Sequence, residues 1–487
     1  MQSRTASILL VFNRRTCVMG VLALMVSGCA AVGPDYVAPA QDVPAAWRRG
    51  DVAVASAQPV GDLSQWWRRL NDATLPELVE QALRGNTDLR SAQARLREAR
   101  ARRALAGAEF YPSVTASGSA RQSKGSAEVG SGNTSELYNA GFDASWEPDV
   151  FGGVRRGREA AQADLQASAA DLYNTQVTLV AEVARNYVEL RAFQARLAIA
   201  RNNLASQAET LQLTEWRAQA GLVSALDVEQ ARANVEQTRA QIPSLETSLA
   251  ESEHRLAILL GQAPGTLHEI LAAPAPIPTV SDQVAIGIPA DVLRRRPDVR
   301  AAERRLAAET VRIGQAQAAR YPNFTLSGSI GLEALSLGAL GGNAVTRSLL
   351  ASVRQTIFDA GRLRQQVEIQ NAVQQQALVN YEAAVLAALQ DVENALVAFA
   401  NSRERQAALR NARDAARNAA LLARNRYTSG LVDFQTVLNT ERTVLTIEDN
   451  LASAEAEGAT ALVQLYKALG GGWPIGNAAA AQENFYE

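Results

Sequence analysis

The chain is a tandem duplication, and no other feature constrains its fold as much. Landmarks recur at an offset of about 207 to 210 residues. Asp88-Leu89-Arg90 matches Asp298-Val299-Arg300, and Tyr111-Pro112 matches Tyr321-Pro322. Phe151-Gly152-Gly153 matches Phe358-Asp359-Ala360-Gly361, and Gly221-Leu222-Val223 matches Gly430-Leu431-Val432. Four landmarks in one order argue against two unrelated helical segments that merely share Ala and Arg. Each half therefore repeats one series: a helix of about 35 residues (Leu75 to Glu109, Pro289 to Arg320), two strands, a very long helix, a tight Gly turn and a shorter helix. Repeat 1 is expected over residues 73–261, with strands at 113–123 and 137–147 and a turn at 220–224. Repeat 2 is expected over 289–469, with strands at 323–333 and 348–358 and a turn at 428–433. A Pro-rich linker, 262–288, joins them, and 470–487 form a tail.

The strands alternate. Val114, Ala116, Gly118 and Ala120 face one way, against Ser113, Thr115, Ser117 and Ser119. Tyr138, Ala140, Phe142, Ala144 and Trp146 alternate with Asn139, Gly141, Asp143 and Ser145. Phe324, Leu326, Gly328, Ile330 and Leu332 follow the same rule, as do Leu349, Ala351, Val353 and Ile357. Strands of about ten residues with one apolar and one polar face suit a membrane barrel with a wet lumen; two soluble hairpins on a core are the alternative. Four strands cannot close a barrel, and an open edge in lipid leaves unpaired N–H and C=O groups, each costing several kcal/mol. The barrel must then be shared between copies, and the pattern does not choose among two, three or four.

From about Val154 to Ala220 there is no Pro, which predicts a helix of about 100 Å. Leu165, Leu172 and Leu179 recur by sevens, as do Leu190, Leu197, Leu204 and Leu211, with a step of eleven between the series. Four extra residues in a heptad pattern locally unwind a left-handed supercoil. Shorter helices of about 55 Å, placed end to end, match the long one. Continuous and broken helices would alternate, with the breaks, the linker and the tail at one equator and the Gly turns at the end far from the strands.

The N-terminus is an address. Arg4, Arg14 and Arg15 precede a short apolar run, Val18 to Val26, that ends Val26-Ser27-Gly28-Cys29. This has the form of a lipobox: residues 1–28 are a leader, Cys29 carries the lipid, and 29–72 are an anchored extended segment. Ala30 rather than Asp follows, a pattern that goes with outer-membrane residence. After cleavage no apolar stretch of about 18 residues is expected, so strands must do any spanning.

Composition excludes more than it assigns. A net charge of -2 gives no reason to expect nucleic acid. Aromatics at 5% with hydrophobics at 47% suit Ala-rich packed helices. The Cys are Cys17 and Cys29, and the His are His254 and His268, so neither a disulfide framework nor a clustered catalytic or metal motif is expected. No enzyme activity and no cofactor beyond the lipid on Cys29 are expected.

Several motifs carry a resemblance: Val32-Gly33-Pro34-Asp35-Tyr36 after Cys29, and Ile288-Pro289 before Leu293-Arg294-Arg295-Arg296-Pro297-Asp298-Val299-Arg300. Ala302-Glu303, Tyr321-Pro322 and Tyr466-Lys467-Ala468-Leu469-Gly470-Gly471-Gly472-Trp473 complete them. Over nearly all of the mature chain the sequence resembles the TolC-like outer membrane factors, in the lipoprotein branch that includes OprM and the NodT-type efflux proteins. The resemblance implies an α+β membrane protein: a homotrimer with a twelve-stranded β-barrel, four strands per chain, continuous with a long periplasmic α-helical barrel. It implies a bacterial outer-membrane location, and docking to a periplasmic adaptor (membrane fusion) protein and an inner-membrane RND transporter. It also implies a periplasmic gate. A gate-locking Tyr–Asp hydrogen bond maps onto Tyr427 and Asp227; an acidic ring position falls on Asn439, a constriction Leu on Gln435, and Asp433 lies beside them. The adaptor-contacting tips would be Gly221, Leu222, Val223, Gly430, Leu431 and Val432. A passive duct for small toxic molecules is the expected function. A duct for secreted protein and a structural coiled-coil lipoprotein are the competing classes.

Overall fold

The computed structural model describes residues 31–40, 43–48, 63–279 and 289–474. Cys29, the leader, Ile288 and the end of the tail lie outside the described residues. The helices are α1 (Thr74–Gly85), α2 (Thr87–Ala108), α3 (Gly153–Gln219), α4 (Ala225–Leu259), α5 (His268–Leu271), α6 (Pro289–Arg295), α7 (Pro297–Ala318), α8 (Arg362–Thr428) and α9 (Phe434–Ala468). The strands are β1 (Ser113–Lys124), β2 (Thr134–Trp146), β3 (Asn323–Ala334) and β4 (Val345–Arg354). The helices α3 and α8 have 67 residues each, and α4 and α9 have 35 each, so the duplication extends to element length.

Three expectations need correction. The opening helix of each half is two helices. Asn86 breaks the first: its backbone is extended, and its Oδ1 accepts from the N–H groups of Asp88 and Leu89, starting α2. Pro297 breaks the second, because a residue before proline is disfavoured in the helical region. The fourth strand ends at Arg354, so Ile357 stands outside it. The third correction concerns hydropathy. An 18-residue window in α8 is apolar on average and carries at most two charges, although only a third of it is buried. By composition alone it could cross a bilayer, so the absence of such a stretch does not hold.

The chain divides into two compact units, each with its own core. One contains Leu96–Ser168, Ala302–Tyr381 and the described part of Met1–Ala40. Its four strands form one antiparallel sheet in the order β1-β2-β3-β4. The registers keep the expected faces, except that Arg347 pairs with Ile330 on the apolar face. Ala116 opposes Phe142, Phe142 opposes Ile330, and Phe324 opposes Val353. On that face Val114, Phe142, Ile330, Leu349 and Val353 are all exposed. Leu350 breaks the pattern, paired with Ser327 on the polar face.

The other unit contains the described parts of Gln41–Arg95, Ala169–Ala301 and Glu382–Glu487. Its core gathers Trp66, Leu70, Leu75, Val79, Tyr187, Leu190, Leu256 and Tyr466. Trp66 stacks on Tyr466 at 5.1 Å. The most distinctive motifs serve this packing. Arg296, buried, donates to Asp298 at 2.6 Å, to Asp391 at 2.9 Å and to the Ala468 carbonyl at 3.2 Å. Burial pulls its pKa down, but the two carboxylates hold it above its ordinary value. Trp473 packs on Tyr173 at 4.7 Å, and the Gly472 N–H bonds to the Leu63 carbonyl at 2.9 Å.

The leucine heptads do not form one continuous seam. Leu179, Leu190 and Leu197 are buried, but Leu204 and Leu211 are half-buried. Beyond Ala200 the buried column of α3 is polar: Asn203, Gln207, Thr210 and Thr214. Its partners lie one heptad apart on two other helices. Glu441 accepts from Thr210 at 2.7 Å and from Arg424 at 3.2 Å; Glu448 accepts from Asn203 at 3.2 Å and from Arg417 at 2.6 Å.

Candidate functional site

The two Gly-Leu-Val turns are built identically. Gly221 and Gly430 have φ of 72° and 73°, the left-handed region that favours Gly. The Leu222 N–H reaches back to the Arg217 carbonyl at 2.8 Å and the Gly221 N–H to that of Ala218 at 2.9 Å. The Leu431 N–H bonds to Arg426 at 2.9 Å and the Gly430 N–H to Tyr427 at 2.9 Å. Both are Schellman endings, which satisfy the last carbonyls of α3 and α8. Each turn leaves one leucine in solvent, Leu222 at 67% and Leu431 at 73% exposed, while Val223 and Val432 turn inward.

The next helix of each pair begins with a cap. Ser224 and Asp227 form a capping box: the Ser224 Oγ accepts from the Asp227 N–H, and the Asp227 carboxylate accepts from the Ser224 N–H at 3.0 Å. Asp433 caps α9, accepting from the Thr436 N–H at 2.9 Å and its hydroxyl at 2.6 Å. Those two bonds, the hydroxyl first, hold the Asp433 carboxyl below its ordinary range.

Within the chain, Tyr427 and Asp227 are not joined. The Tyr427 ring is buried among Ala423, Phe434, Val437 and Leu438, 5.8 Å from the Phe434 ring, and its hydroxyl has no partner. Asp227 is occupied by Ser224. Asn439 is exposed and accepts from Gln435 at 3.1 Å, so these two sit one helical turn apart on an open face of α9. The residue missed in the sequence is Arg217. Its Nη1 donates to the Tyr427 carbonyl at 2.6 Å, and its guanidinium lies 4.5 Å from the Tyr427 ring centroid. The signal was available: Arg217 and Arg426 are matched basic residues in the last turns of α3 and α8.

The segment that follows Cys29 in the sequence is strapped to its own unit. The Val32 N–H bonds to the Phe151 carbonyl at 3.1 Å. Arg156, buried, donates to Asp35 at 2.7 Å and to the carbonyls of Val32 and Gly33 at 3.3 and 3.4 Å. The strap crosses α7 where a Cβ on Gly33 would lie 2.2 Å from the Cα of Gly314. The Tyr36 hydroxyl donates to Glu303 at 3.2 Å, and burial followed by the Glu303 charge pushes its pKa up.

Known proteins share this fold. The outer membrane efflux protein family matches residues 78–262 and 288–471. Nodulation protein T of Rhizobium leguminosarum bv. trifolii is 34% identical over 93% of this chain and 97% of its own length. The pyoverdine export outer membrane protein OpmQ of Pseudomonas putida is 34% identical over 94% and 98%. The structure of the outer-membrane channel OprN superposes with a TM-score of 0.86 at 40% identity, covering 91% of this chain and all of that one. Two half-length matches that flank the linker are what the duplication requires. The chain belongs to the outer membrane efflux protein family, among its OprM/NodT-type members.

Proposed function

We propose that the protein is the outer-membrane channel of a tripartite RND-type pump, a passive exit duct for antibiotics and other small toxic compounds. Three copies share a twelve-stranded barrel, and the long helices supply a periplasmic tunnel. The observation that carries this is the sheet: an exposed apolar face of Val114, Phe142, Ile330, Leu349 and Val353, with open edges on β1 and β4. That face suits lipid, and the edges require further strands. Cys29 bears the lipid, and the strap at Val32–Tyr36 fastens the chain next to it. The exposed Leu222 and Leu431 turns meet an adaptor, which opens the duct under the transporter. The name of OpmQ, which states pyoverdine export, agrees with small-molecule cargo.

Deleting the gene should lower the inhibitory concentrations of several unrelated compounds, with restoration by the intact gene and not by Cys29→Ala at equal transcription. Protein secretion should be unchanged. Loss of a secreted protein with unaltered drug susceptibility would overturn the reading. Purified protein in planar bilayers should give discrete conductance steps.

A further inference from the structure

This inference rests on the three-copy barrel just proposed and concerns how one copy meets the next. The two hairpins are structural repeats. Ser113 opposes Ser145 in the first, and Asn323 opposes Arg354 in the second, so β1 maps onto β3 and β2 onto β4. The mapping continues past the strands. The Trp146 Nε1 donates to the Phe110 carbonyl at 2.9 Å, and at the matching place the Gln355 Nε2 donates to the Arg320 carbonyl at 3.1 Å.

In β2–β3, Ala140 opposes Leu332. If the ladder between copies repeated that register, Leu349 would oppose Gln122 of the next copy. Following partners from Val114 through Ala144, Gly328 and Leu349 to that Gln122 advances about 8 residues per copy, or about 24 around the barrel. With a rise of ~3.3 Å and a strand spacing of ~4.8 Å, the strands would tilt by about 54°, beyond the usual ~35–45°. A slip of one residue would invert every face, but a slip of two keeps them. Two residues less stagger per copy lowers the tilt to about 46°. It sets Leu349 opposite Ala120 and Val353 opposite Ala116, apolar against apolar.

The same slip brings Phe358, just beyond β4, opposite Tyr111, just before β1. Both rings are left open by the single chain, Phe358 at 88% and Tyr111 at 74% exposed. Tyr321, the repeat of Tyr111, already has an aromatic partner: it stacks on Phe151 at 4.7 Å with 22° between the rings. Gly152 and Gly361 share a left-handed φ just before α3 and α8, so the structural match of Phe151 is Ala360, which has no ring. The ring two residues earlier, Phe358, is the one this register would set against Tyr111.

We propose that β4 of one copy pairs with β1 of the next in this register, with Phe358 stacked on Tyr111 across the boundary. The occupant of each open edge is a second copy of this chain.

Paired cysteines in the full-length lipoprotein test this, since the natural cysteines are Cys17 and Cys29. Oxidised in membranes, Leu349→Cys with Ala120→Cys should give cross-linked dimers and trimers at about fivefold the yield of Leu349→Cys with Gln122→Cys. The reverse ratio would overturn the register and leave the three-copy reading standing. No cross-link in either, with three copies counted by native mass, would do the same. A single copy by native mass would overturn the three-copy reading itself. For the rings, Phe358→Ala and Tyr111→Ala should each lower the temperature at which the assembly dissociates, Phe358→Tyr should not, and the double variant should be no worse than the poorer single. Additive losses would overturn the stack.

Discussion

The guanidinium of Arg217 sits over the ring of Tyr427 at 4.5 Å and donates to the main-chain oxygen of that same residue at 2.6 Å. One side chain at the end of α3 thereby holds the end of α8, joining the two repeats at their turns. The Tyr427 hydroxyl contributes nothing to this, because it is buried without a partner.

Arg217→Ala should therefore loosen the turns by roughly 2 kcal/mol, from the lost cation–π contact and charge-assisted hydrogen bond. Amide exchange at 425–431 should quicken and the bilayer conductance rise. Tyr427→Phe should change stability by less than about 1 kcal/mol and leave the conductance alone. If Tyr427→Phe opened the channel as much as Arg217→Ala does, the hydroxyl would be a lock after all, acting between copies.

The cap at Asp433 gives a pH signature. Its folded pKa is depressed, so its contribution is complete above the ordinary carboxylate range, about 3.9, and disappears as pH falls through the lower folded value. Asp433→Ala should have a lower thermal midpoint than wild type at pH 7, and the two should converge only below about pH 4. Melting curves across pH 2–7 check this; a gap that persisted at the acid end would exclude the carboxylate as its source.

The strap depends on a close crossing. A Cβ on Gly314 would lie 2.7 Å from the Val32 oxygen and 3.1 Å from Arg156. Gly314→Val should cost about 1–3 kcal/mol through overpacking and release residues 31–36 to protease. Arg156→Ala should release the same segment without a clash, which separates the strap from general misfolding.

Within the helical core, Arg191 is buried and donates to the Tyr187 hydroxyl at 3.0 Å, to Gln194 at 2.7 Å and to the Ala273 carbonyl at 2.8 Å. Tyr187 passes the chain of bonds to Asp72, which also accepts from the first N–H groups of α1. Arg191→Ala should cost about 2–4 kcal/mol, because it strands the buried Tyr187 hydroxyl and Gln194 oxygen and removes the contact with the Tyr187 ring. Arg191→Met, which keeps the packing, should cost less. Chemical denaturation of the detergent-solubilised protein measures both.

The sequence by itself determined the duplication, the four strands with one apolar face, the two 67-residue helices and the Gly-Leu-Val turns. These follow from local chemistry: alternation of side chains along a strand, the absence of Pro, and Gly where a helix must end. Only the tertiary structure decided which residues hold the turns. Within one chain the Tyr427 ring packs against Phe434 and Arg217, while Asp227 bonds to Ser224, three residues away. The heptad leucines likewise gave way beyond Ala200 to Asn203, Gln207, Thr210 and Thr214. Periodicity gives the face of a helix, but which residues on that face are enclosed depends on the neighbours. Here Glu441, Glu448, Arg417 and Arg424 were more than 200 residues away in the chain and seven apart on their own helices.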